Sequence, residues 1–205
     1  MLTTFVDMML KDQTLVPHTD IITEKLSAIN LFVQGKVAII DAYWSIRDLR
    51  DLEAYPHDFV TAFVPMPTAE EMSREDTYVP GGFMDYLSIN SKSKNQDAAW
   101  EFIKWYTTEG MLPMVPHGRI PASSAFDPNL VTDSFSEGVA ELFDLNSFKD
   151  QLLTPENKYQ LSTITDKLAE VTKIASEEFE FAYVGSKTPQ EALQSAKARG
   201  DEVLS

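Results

Sequence analysis

The residues of this chain that could perform bond chemistry are few and scattered. His18, His57 and His117 all lie beside prolines, in stretches that read as loops. None stands at the H-x-x-x-H spacing that brings two imidazoles to one metal. Cysteine is absent, which excludes disulfides, zinc–thiolate centres and thiol nucleophiles within the chain. The 32 acidic residues supply carboxylate pairs such as Glu70–Glu71 and Glu177–Glu178. With acids so abundant, such pairs read as solvated faces rather than acid–base dyads. No G-x-S-x-G elbow, phosphate-binding loop or G-x-G-x-x-G turn occurs. The expectation is a protein that is not an enzyme and holds no cofactor or metal.

Binding chemistry is better represented. Tyr43 and Trp44 close the apolar run "KVAIIDAYW", where aromatic rings can stack on a sugar face while Asp41 accepts from its hydroxyls. The competing reading of Trp44 is a plug in the core. Gly81 and Gly82, in "YVPGGFMDYLSIN", permit positive φ and close backbone approach. They read either as a tight turn or as a crossing between two lobes, with backbone amides and Phe83 turned to a ligand. Trp100 and Trp105 are five residues apart on a predicted helix and cannot share a face. Trp100 is predicted partly exposed and Trp105 half-buried, neither as a ligand contact.

The charge narrows the partners. A net charge of −15 opposes binding to phosphate backbones, so nucleic acid is not an expected partner. Anionic membrane surfaces are disfavoured for the same reason, and a neutral or cationic ligand is easier to accommodate. A composition of 43% hydrophobic and 24% charged residues is that of a folded chain. No apolar run approaches the roughly 18 residues that a membrane-spanning helix needs.

Periodicity supplies the elements that must position these residues. Helices are predicted over 3–12, from about 20 to a stop at Gly35, and over 95–110 with Asn95 as its cap. The last of these is expected to bury Ala99, Phe102, Ile103 and Tyr106. Residues 45–52 read as a short helix, and helical patches follow at 134–143 and 146–153. A long helix is expected over 159–183, stopped by Gly185. Thr188, Pro189 and Glu191 then spell a capping box with proline at the first helical position, the start of a final helix. Strands are predicted at "KVAIIDAYW", at "FVTAFVPMP" and at "FMDYLSIN". The N-terminal run has no basic region followed by a long apolar stretch, and a chain that opens inside a helix is expected to be a fragment.

Several of these stretches, taken in order, resemble one family. "LFVQGKVAIIDAYW" is similar to the F-x-x-G-K-x-A-M…G-x-W segment of the extracellular solute-binding proteins, family 1. These are the sugar-binding receptors of bacterial ABC importers, of the maltose-binding type. "VPMP", "GGFMDYLSINSKSKNQDAAWEFIKWYTTEG", "GRIPAS" and "YVGSKTPQEALQSAKARGDEVL" resemble the family's following segments in register. Where the family usually has a small Gly-Gly or Gly-Ser before the tryptophan, this chain has "DAYW", a bulkier loop in which Tyr43 shares the stacking role.

The resemblance implies a helix-rich α/β chain, the C-terminal portion of a two-lobe fold of the type II periplasmic-binding kind. It divides the chain into a second-lobe segment at 1–79, a first-lobe segment at 80–127 and second-lobe helices at 128–205. Its ligand-binding set comprises Asp41, Tyr43, Trp44, Gly81, Gly82, Phe83, Asp85 and Arg119. The implied partners are a saccharide and the membrane subunits of an ABC permease, outside the cytoplasm, with the parent exported and lipid anchoring left open. Uncovered strand edges predict self-association. The alternatives are a docking module that presents ligand to a sensor, and a carbohydrate-active enzyme.

Overall fold

Helices carry almost all of the regular structure. The computed structural model describes every residue except 42, 66, 68–77, 81–85, 124, 154–157 and 161–166. Eight α-helices are described: α1 (Leu2–Leu10), α2 (His18–Thr23), α3 (Ala28–Val33), α4 (Gln96–Thr108), α5 (Pro128–Ser136), α6 (Leu145–Phe148), α7 (Leu168–Tyr183) and α8 (Pro189–Leu204). Short 3-10 turns lie at Tyr43–Ile46, Asp48–Arg50, Leu112–His117 and Ala140–Leu142. Two three-residue strands, β1 (Tyr78–Pro80) and β2 (Lys158–Gln160), pair in parallel, with Tyr78 opposite Lys158. The chain divides into two compact units, Met1–Leu31 with Thr163–Ser205, and Phe32–Ser162.

The first unit is built on the pair α7 and α8. Ala182 and Ala192 are fully buried and, with Val6 of α1, form a small core against which Leu2 and Tyr183 pack. Methyl side chains at these positions let the helices approach closely. The capping box forms as the sequence predicts: the Thr188 hydroxyl accepts from the Glu191 N–H at 3.2 Å, and the Glu191 carboxylate accepts from the Thr188 N–H at 2.8 Å. Glu178, with its side chain 4% exposed, accepts from Lys187 and, at 2.8 Å, from Arg199. Arg199 also reaches Glu177 at 2.6 Å. The buried carboxylate is thereby matched by two cations, and the hydrogen bond from Lys187, then that from Arg199, holds it below the usual carboxylate range.

The second unit has an aromatic core. Phe135 and Phe148 are fully buried and stacked, with centroids 4.2 Å apart and planes 10° apart. Phe143 meets Phe135 edge-on at 5.0 Å, and Phe63 meets Phe148 at 5.6 Å. Asp127 caps α5 by accepting from the Asn129 N–H, and Asp144 caps α6 by accepting from Asn146 and Ser147.

The mixed α/β, two-lobe expectation is corrected by these elements. "KVAIIDAYW" forms no strand: residues 37–41 are irregular, Ile39 is 78% exposed, and the backbone winds into a 3-10 turn at Tyr43. "FVTAFVPMP" contributes one isolated bridge, Thr61 to Phe143. The described part of "FMDYLSIN", residues 86–90, carries no strand either. β-branched residues favour a pleated, half-buried surface but cannot create the neighbouring strand that satisfies their backbone groups. Among the described residues that neighbour is missing.

Two helices also differ from their predicted extents. The element from about 20 to Gly35 breaks into α2 and α3, with Lys25 at φ +51° between them. The helix expected from 159 begins at Leu168, after β2.

Candidate functional site

Two features of the second unit stand out chemically, and both lie close in sequence to the predicted binding residues. The first is a cleft of about 490 Å3 lined by Arg47, Asp48, Arg50, Asp51, Pro116 and His117. Its lining comes from the turn Asp48–Arg50 with its neighbours Arg47 and Asp51, and from the end of the turn Leu112–His117. They meet where Gly118, at φ +75°, lies so close to Arg47 that an added Cβ would stand 2.7 Å from the Arg47 Cβ. Glycine is required there twice over, by the left-handed backbone and by the contact.

Within the cleft, the Arg47 Nε donates to Asp48 at 2.9 Å, and Asp51 accepts from the Ala54 N–H at 3.0 Å. Arg50 donates from Nη2 to the Glu137 carbonyl at 3.1 Å, and its guanidinium lies 5.5 Å from the centre of the Phe135 ring. Burial pushes its pKa down, against the opposing charge of Glu137.

The second feature is the aromatic surface of α4. None of its thirteen residues is buried, and Trp100, Phe102 and Trp105 are 53%, 55% and 51% exposed. Phe102 nonetheless clusters with Trp105 at 5.8 Å and with Tyr106 at 5.9 Å. The half-exposure expected for the two tryptophans is found, whereas the burial expected of Ala99, Phe102, Ile103 and Tyr106 is not: Phe102 is exposed and the other three are only partly covered. The 3.6-residue period identifies an apolar face but not what covers it.

The predicted ligand set is only partly assembled among these features. Asp41 is exposed in an irregular stretch, and Tyr43 and Trp44 open the turn that leads into the cleft. Arg119 is exposed just beyond Gly118, its N–H donating to the Met114 carbonyl at 3.2 Å. The structure thus brings the segment after Trp44 against the segment before Arg119. Gly81, Gly82, Phe83 and Asp85 lie outside the described residues. Arg47, Arg50 and His117 were not singled out as site residues by the sequence. The available signal was the run "RDLRD", which places two of the chain's five arginines within four positions.

The first 112 residues decide the family. The model of the bacterial extracellular solute-binding proteins matches residues 2–112, more than half of the chain. This chain belongs to that family. Among curated proteins, a maltotriose-binding protein of Pyrococcus abyssi (strain GE5 / Orsay) is 31% identical over 80 residues, which take in 38% of this chain and 17% of the relative's length. No solved structure matches.

These findings correct the resemblance traced through nearly the whole chain as a C-terminal half. The match lies in residues 2–112, and "GRIPAS" and the C-terminal motif fall outside it. The structure also corrects the reading as a saccharide receptor of an importer, and with it the alternative of a receptor-like module that presents ligand to a sensor. That reading presumes a sheet-based, two-lobe receptor, and the described residues contain one pair of three-residue strands. No described helix is long and apolar enough to cross a membrane. No group of three or more potential metal ligands occurs among the described residues.

Proposed function

We propose that this chain is a non-catalytic, extracytoplasmic member of its family that works as a self-associating module, two copies meeting through α4. The observation that carries the reading is the unburied aromatic surface of that helix. An amphipathic helix is stabilised mainly by covering its apolar side. Clustered tryptophan and phenylalanine left half in water mark an interaction surface. A two-fold arrangement uses the same patch on both copies. It would let Glu101 and Lys104, paired at 2.7 Å within one helix, exchange partners across the interface. The location outside the cytoplasm follows the family's extracellular character.

Each copy carries a charge of −15, so mutual repulsion opposes the pairing and salt should favour it. Sedimentation velocity on the chain and on Phe102→Ser/Trp105→Ser is the test. The expected result is a dimer that strengthens towards about 1 M salt, where the screening length is about 3 Å, and that is lost in the double variant. A chain that stays monomeric in both conditions overturns the reading. Saturable quenching of tryptophan emission by a saccharide, with no change in mass, overturns it as well.

A further inference from the structure

The cleft of Arg47, Asp48, Arg50, Asp51, Pro116 and His117 differs in chemistry from the α4 surface, and its use does not depend on self-association. The geometry points to a binding site for a small zwitterion carrying one carboxylate and one ammonium group, of which an amino acid is the simplest example. The cleft of about 490 Å3 is broadly open to solvent and polar in its lining, with room for a small molecule laid across it.

Arg50 is a cation already fixed in place. Its Nη2 is held by the Glu137 carbonyl, and its guanidinium lies over the Phe135 ring. A guanidinium anchored in this way loses little freedom on meeting a carboxylate, and its planar fork matches the two oxygens. Arg47 lies one turn earlier on the same wall with its Nε held by Asp48, so its orientation is also set.

The charge balance then selects the ligand. Arg47 and Arg50 contribute two positive charges, and Asp48 and Asp51 contribute two negative ones. A dianion entering the cleft meets as much repulsion as attraction, and so does a simple cation. A molecule that brings both signs can place its carboxylate on the arginine side and its ammonium on Asp51, complementing both at once. Asp51 accepts from the Ala54 N–H through Oδ1, which leaves its second oxygen for a donor on the ligand. Pro116 closes one side with apolar surface, and His117 beside it adds an imidazole.

The test is a titration of the full chain with L-alanine, acetate and ethylamine, followed by amide nitrogen–proton correlation spectra. L-alanine is expected to give saturable shifts at residues 47–51 and 117, with a dissociation constant about tenfold or more below that of either half-molecule. Arg47→Gln, at an exposed position away from the core, should weaken L-alanine by about tenfold or more with the spectrum otherwise unchanged. Asp51→Asn should weaken L-alanine while leaving acetate as tight or tighter. Acetate binding as well as L-alanine would reduce the cleft to an anion site and overturn the proposal. Shifts confined to other residues, an undiminished response in Arg47→Gln, or no saturable shift at all would overturn it too.

Discussion

Phe148 and Phe102 are the same residue type in opposite situations, and exchanging each for alanine tests the architecture on which the proposed function rests. Phe148 is fully buried, stacked on Phe135 at 4.2 Å and met edge-on by Phe63 at 5.6 Å. Phe148→Ala removes a whole ring from a site whose neighbours are themselves rings and can collapse only partly. Such truncations cost about 3–5 kcal/mol, and the stacked geometry places this one towards the upper end. Set against a typical total stability of about 5–15 kcal/mol, the loss is a large fraction. With a urea dependence of about 2 kcal/mol per molar it moves the midpoint by about 2 M.

Phe102 is 55% exposed on α4, so Phe102→Ala should stay within about 0.5 kcal/mol, as surface substitutions do. Urea unfolding followed by circular dichroism, at a concentration where the chain is monomeric, reads both. A Phe148→Ala midpoint within about 0.5 M of the parent would refute the aromatic core. A Phe102→Ala loss as large as that of Phe148→Ala would show that α4 is a core element, and self-association through it would have no basis.

Three further outcomes follow from the local geometry. The hydrogen bonds from Lys187 and Arg199 depress the Glu178 pKa in the folded state. The group therefore stabilises the fold fully above the ordinary carboxylate value of about 4.3. That contribution is lost as pH falls through this value towards the depressed folded one; thermal melts across the acid range should show the decline, and Glu178→Gln should remove that part of it. Thr188→Ala deletes the hydroxyl that accepts from the Glu191 N–H and should cost about 0.5–2 kcal/mol, read as a lower melting temperature with α8 the first helix to exchange its amide protons. Gly118→Ala adds a left-handed backbone penalty of about 1–2 kcal/mol to a clash with Arg47. It should exceed Gly35→Ala, where φ is +68° and nothing lies within 4 Å, and equal losses in denaturant titrations would mean that the close approach to Arg47 is not sensed.

What the sequence disclosed well is what is decided within a few residues. The Thr188–Pro189–Glu191 start of α8, the stops at Gly35 and Gly185, and the period of α4 each depend on one turn of backbone. The strand signal misleads because a strand's stability depends on a partner elsewhere. Val37, Ile39 and Ile40 have the β-branched composition of a strand, yet Ile39 is almost fully in water and residues 37–41 have no ladder. Phe102 was misplaced by the same rule, since amphipathicity states which side is apolar and says nothing of whether the same chain covers it.

The cleft, too, depends on partners distant in sequence. "RDLRD" read alone is a stretch of neighbouring ion pairs of the kind that contribute little at a surface, and the Arg47–Asp48 contact is one of them. It becomes a wall because residues 112–118, far along the chain, end in a glycine that packs onto the Arg47 backbone and bring Pro116 and His117 opposite. Arg50 is likewise an ordinary surface cation until Phe135 and the Glu137 carbonyl fix it. None of these partners is signalled by residue type at its own position.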